Sequence, residues 1–143
     1  MAGWLANLFG REKESEAVAW VSDPSNPNDA AIEAAIREDA GKPTGELTKA
    51  DLEELECLDL EGNQLTDVKG LEKLTQLTEL VLYGNKLSDV TGLEKLTQLE
   101  TLVLEDNQLT NVKGLEKLTK LKVLDLRFNP ALTKAQIDEL QKA

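Results

Sequence analysis

Apolar positions in the second half of this chain recur every 22 residues. The block Leu-x-x-Leu-x-Leu-x-x-Asn-x-Leu begins at Leu55, Leu77 and Leu99, and a fourth copy from Leu121 holds as far as Asn129. Two shorter rhythms alternate inside each copy. Leu80-x-Leu82 has the two-residue period of a strand. Leu93 and Leu96, three apart after Gly92, share the inner side of one helical or 3₁₀ turn. Leu77, Leu87 and Val90 complete the apolar skeleton. A unit this short cannot bury its own apolar side, so successive units must bury it for one another. The pattern predicts a solenoid with short parallel strands on one side and tight turns on the other. Asn63, Asn85, Asn107 and Asn129 mark where each strand ends. Their amides carry two donors and an acceptor, suited to backbone groups of adjoining coils.

The flanks carry other patterns. In residues 1–20, Trp4, Leu5, Leu8 and Phe9 fall at i, i+1, i+4 and i+5, which predicts an amphipathic N-terminal segment with one apolar side. Residues 21–28, with Pro24 and Pro27 among Ser, Asp and Asn, form a linker. A helical N-terminal cap is expected over 29–54. Asn26 and Pro27 open it, Ala31, Ile32, Ala35 and Ile36 give its stripe, and Gly41 and Pro43 end its first helix. Thr48 with Asp51 opens a second, short helix. The repeats occupy 55–131. Thr133 with Gln136 repeats the same device and opens a C-terminal cap helix over 132–143. Stacked units need such caps at both ends.

The run Asn-x-Leu-(Ser/Thr)-(Asp/Asn)-Val-x-Gly-Leu-x-x-Leu within each of the first three copies resembles the leucine-rich repeat family, in the 22-residue class of internalin-like bacterial proteins and certain phosphatase regulators. The likeness covers roughly residues 47–143. It implies a short right-handed α/β solenoid with parallel strands on the concave face, 3₁₀ or helical turns on the convex face, and helical caps. It also implies protein binding, usually through the concave strand face.

Four columns of side chains point away from the leucines on that face. They are Cys57, Glu79, Thr101, Val123; Asp59, Val81, Val103, Asp125; Glu61, Tyr83, Glu105, Arg127; and Gly62, Gly84, Asp106, Phe128. Val81, Val103 and Val123 gather near Tyr83, with carboxylates around them. An apolar centre with a polar rim is the anatomy of an interface. Tyr83 and Arg127 lead as anchors and Phe128 is third, with packing under the C-terminal cap as its alternative. The partner-binding set is Val81, Tyr83, Val103, Glu105, Val123, Arg127 and Phe128. Valines also suit any strand, which is the plainer explanation of those three. The opposite side is different: Gly-Leu-Glu-Lys-Leu-Thr occurs verbatim from Gly70, Gly92 and Gly114.

Charge and composition narrow the chemistry. A net charge of -11 over 143 residues repels phosphate backbones, so nucleic acid is not the expected partner, and a basic protein surface is. The chain has no histidine, which excludes histidine-based triads and histidine-ligated zinc. Cys57 is the single cysteine and forms no internal disulfide or metal knuckle. A calcium site at Asp59, Glu61 and Glu79 lacks a loop of spaced oxygen ligands. No cofactor is expected, and no enzyme activity. The opening MAGWLANLFG has no basic n-region, and cytoplasmic residence is the default expectation. Two functions remain. The first is a non-catalytic module binding a protein through the concave face. The second is an assembly or anchoring component, tethered by Trp4, Leu5, Leu8 and Phe9 to an oligomer, a shell or, against the mixed charges at 11–16, a membrane.

Overall fold

The computed structural model describes residues 17–141. The anchoring candidates Trp4, Leu5, Leu8 and Phe9 lie outside the described residues. The order of elements is β1 (Val18–Trp20), α1 (Pro27–Ala40), β2 (Leu47–Thr48) and α2 (Lys49–Glu53), then β3 (Cys57–Asp59), β4 (Glu79–Val81), β5 (Thr101–Val103) and β6 (Val123–Asp125), and last α3 (Lys134–Gln141). Three 3₁₀ turns, Leu71–Lys73, Leu93–Lys95 and Leu115–Lys117, lie between the last four strands. Strands β3 to β6 form one parallel sheet in chain order. Each residue lies beside its equivalent one period on, as in Leu58, Leu80, Leu102 and Leu124.

The leucine skeleton closes the coils on one another. Leu77, Leu80, Leu82, Leu87, Leu93 and Leu96 are all fully buried, as are their counterparts in the next coil as far as Leu109. Each such side chain contributes roughly 1.5–3 kcal/mol of burial. The asparagines bind coil to coil. Asn85 Nδ2 donates to Leu60 O and Leu82 O, both at 2.9 Å, and its Oδ1 accepts from Leu65 N at 3.0 Å. Asn107 and Asn129 repeat this one and two coils later. Asn63 departs from the expected ladder. It is exposed, because no earlier coil lies behind it. The cap supplies a substitute in buried Asn28 of α1, whose Oδ1 accepts from Thr66 N at 3.0 Å and whose Nδ2 donates to Thr66 Oγ1 at 3.1 Å.

The N-terminal cap is built largely by local rules. The Asn26 side chain accepts from Asn28 N at 3.0 Å, Pro27 begins α1, and Gly41 ends it with φ of 65°. Helix α1 thus starts at Pro27, behind the Asn26 cap, as the Asn26–Pro27 pair predicts. Thr48 and Asp51 form both halves of a capping box, at 2.8 and 3.2 Å. A larger difference concerns residues 18–20, expected as the end of the amphipathic N-terminal segment. They form β1 and pair antiparallel with β2. Trp20 is buried in the core, with Lys73 Nζ 5.5 Å from its ring centre. The indole closes the first coil.

The other end is looser. Thr133 and Gln136 form the second capping box, at 2.9 and 3.2 Å. Yet no residue of α3 is fully buried, and Leu121, Leu124 and Leu126 of the last coil are only partly covered.

Candidate functional site

The columns predicted to point outward do so. Along β4, Glu79 is exposed, Leu80 is buried and Val81 is half-buried, and β5 repeats the alternation. Val81 pairs with Val103 in the sheet, so these two side chains adjoin on one face. Tyr83 follows at 36% exposure, and Val123 of β6 stands 52% exposed next to Thr101. The sheet thus brings Val81, Val103, Val123 and Tyr83 onto one surface.

Phe128 is 70% exposed, so it does not pack beneath the C-terminal cap, and that alternative is overturned. Its backbone is left-handed, with φ of 57°. Glycine holds the same column at Gly62 and Gly84, where φ is 64° and 69°. The repeat demands this conformation because the chain turns sharply off the strand there; Gly84 N, for example, donates to Glu105 O at 3.1 Å. A bulky side chain in that conformation costs roughly 1–2 kcal/mol. Sequence reasoning ranked Phe128 third on residue type alone; its left-handed backbone is visible only in the structure.

Arg127 is not a free cation. Its guanidinium bonds Asp125 Oδ2 at 2.8 Å and Glu105 Oε2 at 3.2 Å, tying β6 to the coil before it. The Arg127 hydrogen bond holds the Asp125 carboxyl below the usual carboxylate range. A low carboxyl pKa is the reverse of what a general acid at neutral pH requires. At the far end of the face the Cys57 thiol is pushed up, first by burial and then by Glu79, Glu56 and Asp39. That opposes activation as a nucleophile. Among the described residues no cluster of His, Cys, Asp or Glu is placed to hold a metal ion. Nor is any described helix long and apolar enough to cross a membrane.

The geometry is that of stacked 22-residue coils with a shared leucine core. The family model described as Leucine Rich repeats (2 copies) matches residues 53–95 and 97–142. The chain belongs to the leucine-rich repeat family. Solved structures place these leucine-rich repeats beside internalins of Listeria monocytogenes. Internalin C2 is 33% identical with a TM-score of 0.66, over 69% of this chain and 45% of the internalin. Internalin inlF is 31% identical with a TM-score of 0.63, over 66% of this chain and 28% of the other. InlJ, whose functional domain includes a cysteine ladder, is 33% identical with a TM-score of 0.59, over 76% of this chain and 26% of its own. The chain thus spans under half the length of each. Its one cysteine, Cys57, shares a column with Glu79, Thr101 and Val123, so no cysteine ladder forms here. No curated protein matches the chain. The solenoid architecture is that of the family, and leucine-rich repeats as a class bind proteins.

Proposed function

We propose that this leucine-rich repeat protein is a non-catalytic interaction module whose strand face binds a protein bearing basic residues around an apolar one. The observation that carries this reading is the apolar strip of Val81, Val103, Val123, Tyr83 and Phe128, on the face where the coils differ from one another. The opposite face is written three times in the same words. Duplication followed by change on one side alone fits contact on that side. Asp59, Glu61, Glu79 and Asp106 flank the strip. The single cation in the four columns, Arg127, is already neutralised by Asp125 and Glu105. The face therefore offers an apolar centre in a negative field, which favours a cationic partner and speeds its approach.

Tyr83→Ala combined with Val103→Glu tests the reading. Immobilised wild-type protein retains a partner from lysate of the source organism, and the double variant loses it at unchanged melting temperature. Capture by the wild type that weakens as salt rises supports the basic partner. Equal capture by both proteins ends the proposal.

The second reading, an assembly component held by Trp4, Leu5, Leu8 and Phe9, is favoured by the incompletely covered last coil.

A further inference from the structure

The two ends of the solenoid are closed unequally. At the N-terminal end Trp20, Ile32, Ile36, Leu47 and Leu52 are all buried. At the other end a groove of about 610 Å³ runs between the last coil and α3, floored by Leu118, Leu121, Leu124, Leu126, Ile137 and Leu140. The counterparts of Leu121, Leu124 and Leu126 one coil earlier, Leu99, Leu102 and Leu104, are fully buried. The backbone series breaks at the same place. Leu60 N, Leu82 N and Leu104 N each donate to the following coil, to Val81 O, Val103 O and Asp125 O. No strand follows β6 among the described residues to take up the series at Leu126.

We infer that this groove is the seat of residues 4–9 of a second copy of the chain, so that copies join head to tail. The inference deepens the assembly reading and is independent of the strand-face reading. The segment before residue 17 carries four large apolar side chains, Trp4, Leu5, Leu8 and Phe9, at the spacing of one helix side. That pattern suits a groove-filling helix. Charge agrees. The groove's surroundings from 113 to 122 hold Lys113, Lys117, Lys120 and Lys122 against Glu116 alone. The incoming end is acidic: Glu12, Glu14 and Glu16 outnumber Arg11 and Lys13, and residues 17–56 hold ten carboxylates against three bases. Opposite fields at the two ends favour head-to-tail approach over like-end pairing.

Reach decides between the chain's own groove and a neighbour's. Ala17 O accepts from Lys49 N at 3.1 Å, which fixes the start of β1 at the N-terminal cap. From there to beyond β6 is roughly 20–25 Å along the stack at about 4.8 Å per coil. Residues 9–17 fully stretched span at most about 27 Å. They would also have to pass around the flank of the solenoid, so a chain's own groove is out of comfortable reach. A neighbour's groove is not.

The test uses full-length protein with Cys57→Ser, which removes the only thiol. One preparation carries Leu5→Cys and another Gln141→Cys at the exposed end of the groove. Mixed under a mild oxidant, they give a disulfide-linked dimer of the two different chains. Thr75→Cys, in the first coil and two coils before its groove-lining equivalent Thr119, replaces Gln141→Cys as the control and gives at least tenfold less. Light scattering of the otherwise wild-type chain shows mass rising with concentration, and Trp4→Asp with Leu8→Asp returns it to monomer at unchanged circular dichroism. A monomer at all concentrations overturns both this inference and the assembly reading. Association that needs Trp4 and Leu8 but links Gln141→Cys no better than Thr75→Cys overturns the groove alone. So does a disulfide that forms only within one chain carrying both cysteines.

Discussion

Asn107 shows how much one side chain carries in this fold. Its Nδ2 donates to Leu82 O and Leu104 O, both at 3.0 Å, and its Oδ1 accepts from Leu87 N at 3.1 Å. All three backbone groups are buried between coils. Asn107→Ala orphans Leu87 N and strips one of two donors each from Leu82 O and Leu104 O, which keep Asn85 Nδ2 and Asn129 Nδ2, both at 2.9 Å. Urea unfolding should show a loss of about 1–3 kcal/mol. Asn63→Ala removes the same residue type from an exposed site that opens the ladder, and should cost under about 0.5 kcal/mol. Equal losses would refute the account of the ladder. The asparagines were legible because position 9 of each copy is invariant within this one chain. The exposure of Asn63 was not, since it depends on what stands before the first coil. The candidate site divides in the same way. The outward columns follow from two-residue alternation, whereas the left-handed backbone of Phe128 and the clamping of Arg127 by Asp125 and Glu105 depend on how neighbouring coils meet.

At the scale of elements, the caps separate local from distant causes. Both capping boxes and the Asn26–Pro27 start of α1 were legible, because each involves residues within three positions. Strand β1 was not. Three residues pair with two that lie nearly thirty positions away, and their own pattern carries no sign of it. A consequence appears at Gly70, the left-handed residue before the first 3₁₀ turn. A Cβ there would lie 2.7 and 2.8 Å from Trp20 ring carbons, but at Gly92 the nearest atom is Glu72 Oε2 at 3.8 Å. Both positions have strongly positive φ, 93° and 100°, so alanine pays a similar backbone cost in each. Only Gly70→Ala must also displace the indole. It should destabilise the protein by about 1–3 kcal/mol more than Gly92→Ala, with a red shift in tryptophan emission that Gly92→Ala lacks. The N-terminal cap is also sensitive to acid. The Lys42 hydrogen bond, at 2.7 Å, and then Thr48 N hold the Asp51 carboxyl below its ordinary range. A carboxyl lowered in the folded state adds stability that is complete above its unfolded value. That stability is lost as pH falls through the folded one. Melting temperature should therefore fall below about pH 4, and Asp51→Asn should flatten that fall. An unchanged acid slope in Asp51→Asn would remove this pair from the account.

The whole molecule is a row of near-equivalent coils, and its stability should behave as a sum over coils and their contacts with neighbours. The architecture was the most legible property of the chain, because a 22-residue period leaves few other ways to bury the leucines. The unequal closure of the two ends was hidden, since it depends on where α3 lands on the last coil. Modularity leads to a demanding prediction. Deleting residues 77–98 joins Gln76 to Leu99 and recreates the Gln98–Leu99 junction. Leu65 N then faces Asn107 Oδ1 in place of Asn85 Oδ1, and Asn28 still holds Thr66. The caps are untouched. The shortened chain should fold cooperatively with the same circular dichroism per residue. It should have a lower melting temperature and a smaller denaturant dependence, because one coil of buried leucines is missing. It also loses Val81 and Tyr83, so capture of the strand-face partner should fall at least as far as in the Tyr83→Ala, Val103→Glu variant. Head-to-tail association should persist, since the groove at β6 and α3 and the segment before residue 17 both remain. A deletion product that fails to fold would show that the second coil does more than repeat its neighbours. One that folds and still captures the partner would move the binding face off the strands.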